Sequence, residues 1–206
     1  LILLARTTEG YHNLLELVSQ SHLEGFYYRP RVDQELLERY GSGLVALSGC
    51  LTSQIPRLLL EGNEEEARTV ASWHQRTFDH FFLELQSHQG VPGLDQVNQG
   101  LIALSRDLDI PLVVTNDIHY THQQDASFHD VLLCIQTNAT VSDEKRMRMG
   151  DDSLYLKSEE EMRSLFPELA EAVDNTQRVA ELCNVELEFN RLHLPQVTVP
   201  QGKSSF

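Results

Sequence analysis

Pro111–Thr121 reads PLVVTNDIHYT. Leu112, Val113 and Val114 run into Thr115, Asn116, Asp117, Ile118 and His119, the pattern of a short buried strand whose carboxyl end turns polar. Asp117 and His119 are two apart, so on an extended backbone they point to the same side. A carboxylate beside an imidazole at such a strand end can bind a divalent metal or act as an acid/base pair. In α/β folds that end of the strands is where sites are built. An Asp that caps the next turn and a His that packs would read the same way, because D-x-H alone is a weak signal. The rest of the chain has to decide between them.

Three other short apolar runs share the pattern of the opening stretch. Leu1–Ala5 reads as a buried strand. Leu44–Leu47 is a second, and it runs directly into Ser48, Gly49 and Cys50. Phe81–Leu85 is a third, and it runs out through Glu84, Gln86 and His88, which alternate and so share a face while the strand lasts. A lone buried Cys is ordinarily a small hydrophobe, but here it leaves a strand at the same end as the other polar groups. Helical stripes fall between the strands: Glu9–Leu23, a short helix from Asp33 to Tyr40, Leu51–Leu60, Glu64–Thr77 and Gly93–Asp107. Strand and helix alternate, which predicts an α/β fold with mostly parallel strands. A barrel and an open sheet both fit. A barrel would converge the strand ends carrying Cys50, Glu84–His88 and Asp117–His119 on one centre.

Beyond the opening stretch, His122–Gln136 predicts a helix with Phe128, Val131, Leu132 and Ile135 inside. Asn138–Asp152 is a polar excursion carrying Lys145, Arg146 and Arg148. Leu154–Leu156 reads as a short extended piece, and Ser158 with Glu161 as a capping box. A further helix runs from Pro167 to about Cys183, and Val185–Phe189 reads as extended. Arg191–Phe206, with Pro195, Pro200 and Gly202, reads as a linker. Between the first two strands, Gly25–Val32 (GFYYRPRV) packs three aromatics and two arginines around Pro30, as an ordered loop suited to packing or to anion or partner contact.

The chain has 206 residues, room for one sizeable core. Its formal net charge of −15 argues against this segment gripping a nucleic-acid backbone by itself. The acidic runs Glu64–Glu66 and Glu159–Glu161 stand at predicted helix starts, where they are solvated and complement the helix dipole. Three distant cysteines, Cys50, Cys134 and Cys183, make no disulfide framework or zinc pattern and suit a reducing cytoplasm. The chain opens inside an apolar run with Leu rather than Met, as a piece of something longer would. No signal peptide or membrane span is predicted.

Several runs together carry a resemblance. They are LLARTTEGYHNLLELVSQSHLEGFYYRPRVD, LVALSGCLTSQIPRLL, FFLELQSH, IPLVVTNDIHY, DVLLCIQT and DNTQRVAELCNVELEF followed by HLPQVTVP. In this order the chain resembles the PHP (polymerase and histidinol phosphatase) domain of the C-family bacterial replicative polymerases, the DNA polymerase III α subunits. The resemblance implies a partial, distorted TIM-like barrel with mostly parallel strands, followed by a short helical segment and a linker. Residues 1–140 would be the later part of the barrel, 141–190 its remaining segment and helical connection, and 191–206 a linker toward a polymerase domain. It implies a metal cluster in which Cys50, Asp117 and His119 are ligands. Glu84, Gln86, His88, Arg29 and Arg31 would be residues behind or beside them. The earliest family ligands, among them an H-x-H, would lie before Leu1.

By the same resemblance the cofactors are divalent metal ions (zinc, manganese or magnesium), and the parent is a DNA-directed DNA polymerase, a nucleotidyltransferase, with a possible 3′–5′ exonuclease. This segment alone would be inactive, since no residue in it is assigned to catalysis. DNA and other replicase subunits (clamp, clamp loader, proofreading subunit) would be the partners, in the bacterial cytoplasm. Two alternatives stay open: a stand-alone phosphoesterase of the histidinol-phosphatase type, and a non-catalytic platform that stabilises the polymerase or docks a proofreading subunit. A Cys50–His119–Asp117 nucleophile system is possible by residue type.

Overall fold

A computed structural model describes residues 1–88, 90–190 and 192. The expected linker over 191–206 lies outside the described residues except for Leu192. Among the described residues, β1 (Ile2–Ala5), β2 (Leu44–Leu47), β3 (His80–Leu85) and β4 (Leu112–Val114) form one sheet in that order. β2, β3 and β4 are parallel, whereas β1 runs antiparallel to β2. The sheet is open, as a partial barrel would be. No helix among the described residues is long and apolar enough to cross a membrane.

Alternation along the strands sorts the core into two layers. Leu44, Ala46, Phe81, Leu83, Leu85 and Val114 face one way. They pack on α3 (Gln54–Leu60), α4 (Glu64–Thr77) and α5 (Leu94–Leu108), the crossover helices that parallel strands require. Val45, Leu47, Phe82 and Val113 face the other way and meet Val179, Leu182 and Cys183 at the end of the helix Ala170–Leu182. α1 (Thr8–Leu23) starts where Thr7 Oγ1 accepts from Gly10 N, and α2 (Gln34–Tyr40) starts where Asp33 accepts from Leu36 N. α1 seats tightly against the amino end of β2: a Cβ on Gly10 would lie 1.8 Å from the carbonyl oxygen of Gly43.

Several sequence expectations need correction. The opening stretch is a strand only as far as Val114, and Asp117 turns out of it with φ of +48°. The helix expected over 122–136 is a 3-10 turn (Gln123–Asp125) followed by α6 (Ala126–Thr137). Its stripe of Phe128, Val131, Leu132 and Ile135 is exposed, because α6 docks through Leu133 and Cys134 instead. The capping box of Ser158 and Glu161 forms and opens α7 (Glu159–Leu165). The next helix, α8, begins at Ala170 rather than Pro167, and Val185–Phe189 is not a strand.

One buried side chain ties the strand ends together. The carboxyl group of Glu84 accepts from Gly49 N just beyond β2 at 3.1 Å, and from Thr115 Oγ1 just beyond β4. Gln86 Nε2 donates to the same carboxyl group at 3.3 Å and to Thr115 Oγ1 at 3.2 Å. Ser48 Oγ closes the set by accepting from Glu84 N at 2.8 Å. Gly49 is required where it stands: its φ is +83°, and a Cβ there would lie 2.3 Å from Ser53 Oγ.

Glu84→Ala strips the acceptor from Gly49 N and Thr115 Oγ1. At about 1–3 kcal/mol for each buried group left unpaired, a loss of roughly 2–5 kcal/mol is expected in urea unfolding, and Glu84→Gln loses less. His74 yields a pH prediction. Its ring is buried against Phe81 and Phe78, and burial holds its pKa below the ordinary value, with the Val70 carbonyl opposing in part. The unfolded chain takes up that proton near pH 6.5, where the folded chain does not. Stability is therefore expected to fall as pH drops below about 6.5, by at most about 1.4 kcal/mol per pH unit for this group. His80 and His88 are shifted the same way, chiefly by burial. His74→Phe should accordingly reduce the slope without abolishing it in melts between pH 5 and 7.5.

Candidate metal centre

Asp117 and His119 come together, but not by strand alternation. The positive φ of Asp117 folds the backbone so that His119 Nδ1 lies 2.7 Å from the Asp117 carbonyl oxygen and 3.9 Å from Asp117 Oδ1. Both side chains stay partly open to solvent. The excursion after α6 holds this turn in place. His119 N donates to the Leu154 carbonyl at 2.8 Å, and Leu156 N donates to that of Tyr120 at 3.2 Å. Tyr120 and Tyr155 form a parallel bridge. The extended piece expected at Leu154–Leu156 therefore pairs locally with the backbone beside the candidate ligands, outside the four-stranded sheet.

Cys50 is half-buried, its Sγ 3.4 Å from Thr52 Oγ1. It lines a crevice of about 10 Å³ with Glu84 and Gln86 against Leu94, Val97 and Asn98 of α5. Asn98 Nδ2 donates to the Gln86 carbonyl at 2.8 Å. Cys50 and Asp117 thus stand on either side of Glu84, tied to it through Gly49 and Thr115. Among the described residues, however, no group of three or more His, Cys, Asp or Glu side chains is arranged to hold a metal ion. The donor types suit one, thiol sulfur, imidazole nitrogen and carboxyl oxygen, but the described residues do not complete a site.

His88, like Gln86, lies beyond the end of β3. Its Nδ1 lies 3.0 Å from Ser153 Oγ, which donates to Asp151 Oδ1 at 2.8 Å. His88 Nε2 and Asp151 Oδ2 are buried with no hydrogen-bond partner among the described residues. Burial holds the His88 ring below its ordinary pKa, while Asp151 and Asp117 pull it back up. Next to this trio Lys157 Nζ donates to Asn116 Oδ1 at 2.9 Å and to the Ser153 carbonyl. Burial pushes the Lys157 pKa down, against Asp151, Glu161 and Asp152. From α6, the His129 ring meets those of His119 and Tyr120 at 5.4 and 5.5 Å between centroids.

Asn116, His129, Asp151, Ser153 and Lys157 escaped the sequence reading. Asn116 was in plain view in the opening stretch, but the others reach the turn through contacts far apart along the chain. Arg29 and Arg31 sit on the aromatic loop after α1, and neither forms an ion pair among the described residues. Arg31 instead lies over the Tyr27 ring, 4.9 Å from its centroid.

Comparison with known proteins gives this arrangement a context. Residues 1–88 match the PHP domain family. The chain is 46% identical over 202 residues to the DNA polymerase III subunit alpha of Borreliella burgdorferi, covering 97% of the chain and 18% of that relative. The corresponding protein of Deinococcus radiodurans is 44% identical, covering 99% of the chain and 16% of the relative. That of Thermus aquaticus is 40% identical, covering 99% and 17%. The chain thus spans under a fifth of the length of these relatives. It belongs to the DNA polymerase III subunit alpha family, and its first 88 residues match the PHP domain.

Proposed function

We propose that this chain is the PHP-bearing segment of a bacterial replicative DNA-directed DNA polymerase, and that its strand ends contribute Cys50, Asp117 and His119 to a divalent-metal centre. The observation that carries the reading is the alignment of 97% of the chain with a DNA polymerase III subunit alpha, combined with the gathering of polar groups at one end of the parallel strands. Further ligands are proposed in polypeptide outside these residues, as the family resemblance implies, since the donors here are not gathered as a group of three. Zinc, manganese and magnesium all fit the family. A thiol and imidazole among the donors favours zinc or a mixed cluster. Bound metal would supply an acidified water and a counter-charge for phosphoryl oxygens, the chemistry of a phosphoesterase or 3′–5′ exonuclease. DNA and the other replicase subunits are the partners of this reading, in the cytoplasm.

A second reading is a platform that stabilises the polymerase or docks a proofreading subunit. The exposed apolar stripe Phe128, Val131, Leu132 and Ile135 on α6 favours it, since such a surface ordinarily marks an interaction site. A stand-alone phosphoesterase is supported less, because the similarity runs well past residue 88 into residues shared with the polymerase subunits.

In the full-length polymerase, Asp117→Asn combined with His119→Ala is expected to weaken metal retention by more than the roughly 10–100-fold that loss of an outer-shell partner costs, and to lower the melting temperature. Elemental analysis that finds the same metal content in variant and wild type rejects the ligand assignment. A nuclease assay with and without chelator separates the readings: chelator-sensitive release of nucleotides supports the exonuclease, and no release under any metal supports the platform. The 206-residue chain alone should hold metal weakly.

A further inference from the structure

The loop Gly25–Val32 is not absorbed by the metal centre, and it is a built feature. Its ends touch: a Cβ on Gly25 would lie 2.1 Å from the carbonyl oxygen of Arg31. Tyr27 pairs with Arg29 in an isolated antiparallel bridge, and Tyr27 N donates to the Arg29 carbonyl at 3.1 Å. At its tip Phe26, Tyr27 and Tyr28 are 59%, 62% and 82% exposed. Tyr28 adopts a φ of +59°, a conformation an aromatic residue takes at a cost. The Tyr27 and Tyr28 rings meet edge to face at 4.6 Å, and Arg31 lies over Tyr27.

The charge pattern points to an anion. Arg6, Arg39, Arg57, Arg68, Arg146 and Arg163 each stand 2.5–3.9 Å from a carboxyl oxygen. Arg29 and Arg31 make no such pair among the described residues, and neither do Arg76, Arg106, Arg148 and Arg178; Arg29 and Arg31 are set apart by standing beside three adjacent exposed aromatics. The loop also sits at the right end of the fold. α1 starts beside the amino end of β2 and runs 16 residues, about 24 Å at the helical rise, toward the carboxyl end. There Val32 and Asp33 line a groove of about 760 Å³ with Leu1, Ser48 and Gln54. The loop stands on the rim of the sheet end that carries Cys50 and Glu84.

We propose that Phe26–Arg31 is a contact for single-stranded DNA, in which Tyr27 and Tyr28 stack on bases and Arg29 and Arg31 take phosphates. Exposed aromatics interleaved with arginines are the means by which proteins hold single strands without reading sequence. The net charge of −15 opposes a broad grip on nucleic acid, so the contact is confined to the aromatics and arginines of this loop. The contact stands on the loop alone and does not require the metal-centre assignment.

The test is fluorescence anisotropy of a labelled oligothymidylate of about 12 nucleotides with the full chain, in chelator, from about 50 to 200 mM salt. The wild type is expected to bind at the lowest salt. Tyr28→Gly relaxes the positive φ, so it should keep or raise the melting temperature while weakening binding about 5-fold to 100-fold. Arg29→Ala with Arg31→Ala should weaken binding and lower the slope of log affinity against log salt by about 1.4, two phosphates at about 0.7 each. Arg39→Ala, paired with Glu35 on α2, should change neither. No binding by the wild type, or equal binding by all variants, overturns the proposal. Binding that chelator abolishes also overturns it, because the metal centre would then hold the strand. A shift in oligomeric state in Tyr28→Gly with unchanged DNA affinity assigns the loop to a protein contact and overturns it too.

Discussion

The arrangement of the strand ends depends on the carboxyl group of Glu84. Three segments leave the sheet at its carboxyl end, after β2, β3 and β4, and each carries polar groups that strand pairing no longer satisfies. Glu84 accepts from the segment after β2 through Gly49 N and from the segment after β4 through Thr115 Oγ1. It sits on β3 between them. A buried acceptor with fewer oxygens could not serve both neighbours and Gln86 as well. The low-dielectric setting that makes these bonds strong also makes an unmet donor there expensive. Cys50 and Asp117 are placed relative to one another through this one group: Cys50 follows Gly49 directly, and Asp117 follows Thr115 by two residues.

The periodic parts of the fold were legible in the sequence. Leu44–Leu47 and His80–Leu85 show the apolar runs of strands buried on both faces, and Asp33 and Ser158 are caps whose side chains bind the backbone as their types predict. Antiparallel β1 was not legible, because four apolar residues carry no direction. The α6 stripe misled for a related reason. Phe128, Val131, Leu132 and Ile135 have the spacing of a core face, but spacing reports only that a surface is apolar. Which neighbour covers it is a property of the tertiary structure, and among the described residues none does.

Asp117 and His119 are brought together by a turn and not by strand alternation. Alternation on an extended strand would put both side chains on one side, yet β4 ends at Val114 and Asp117 lies in the left-handed region. Asp is among the few side chains that enter this region readily. The two groups meet because the turn brings His119 Nδ1 back to the Asp117 carbonyl. A two-residue spacing is short enough to give proximity in either geometry. β3 likewise stops at Leu85, and Gln86 and His88 beyond it are placed by their side-chain contacts, Gln86 on Glu84 and Thr115 and His88 on Ser153.

A donor pair on a turn is less rigid than one on a strand, unless something outside the turn restrains it. Here the restraint comes from the residues that follow the polar excursion. Leu154 and Leu156 bond to the backbone of His119 and Tyr120, and Asn116 Nδ2 donates to the Tyr155 carbonyl. The excursion is itself fastened at the far side, where Arg146 forks onto both carboxyl oxygens of Asp130 on α6 at 2.6 Å. Bidentate pairing of this kind fixes orientation as well as distance. The placement of Asp117 and His119 therefore rests on residues about 30 to 40 positions downstream. The same residues deliver Asp151, Ser153 and Lys157 beside the pair. A segment that read as a polar detour is what converts a loose turn after β4 into an ordered surface, and it is the reason the candidate centre extends well beyond the residue types that first drew attention to it.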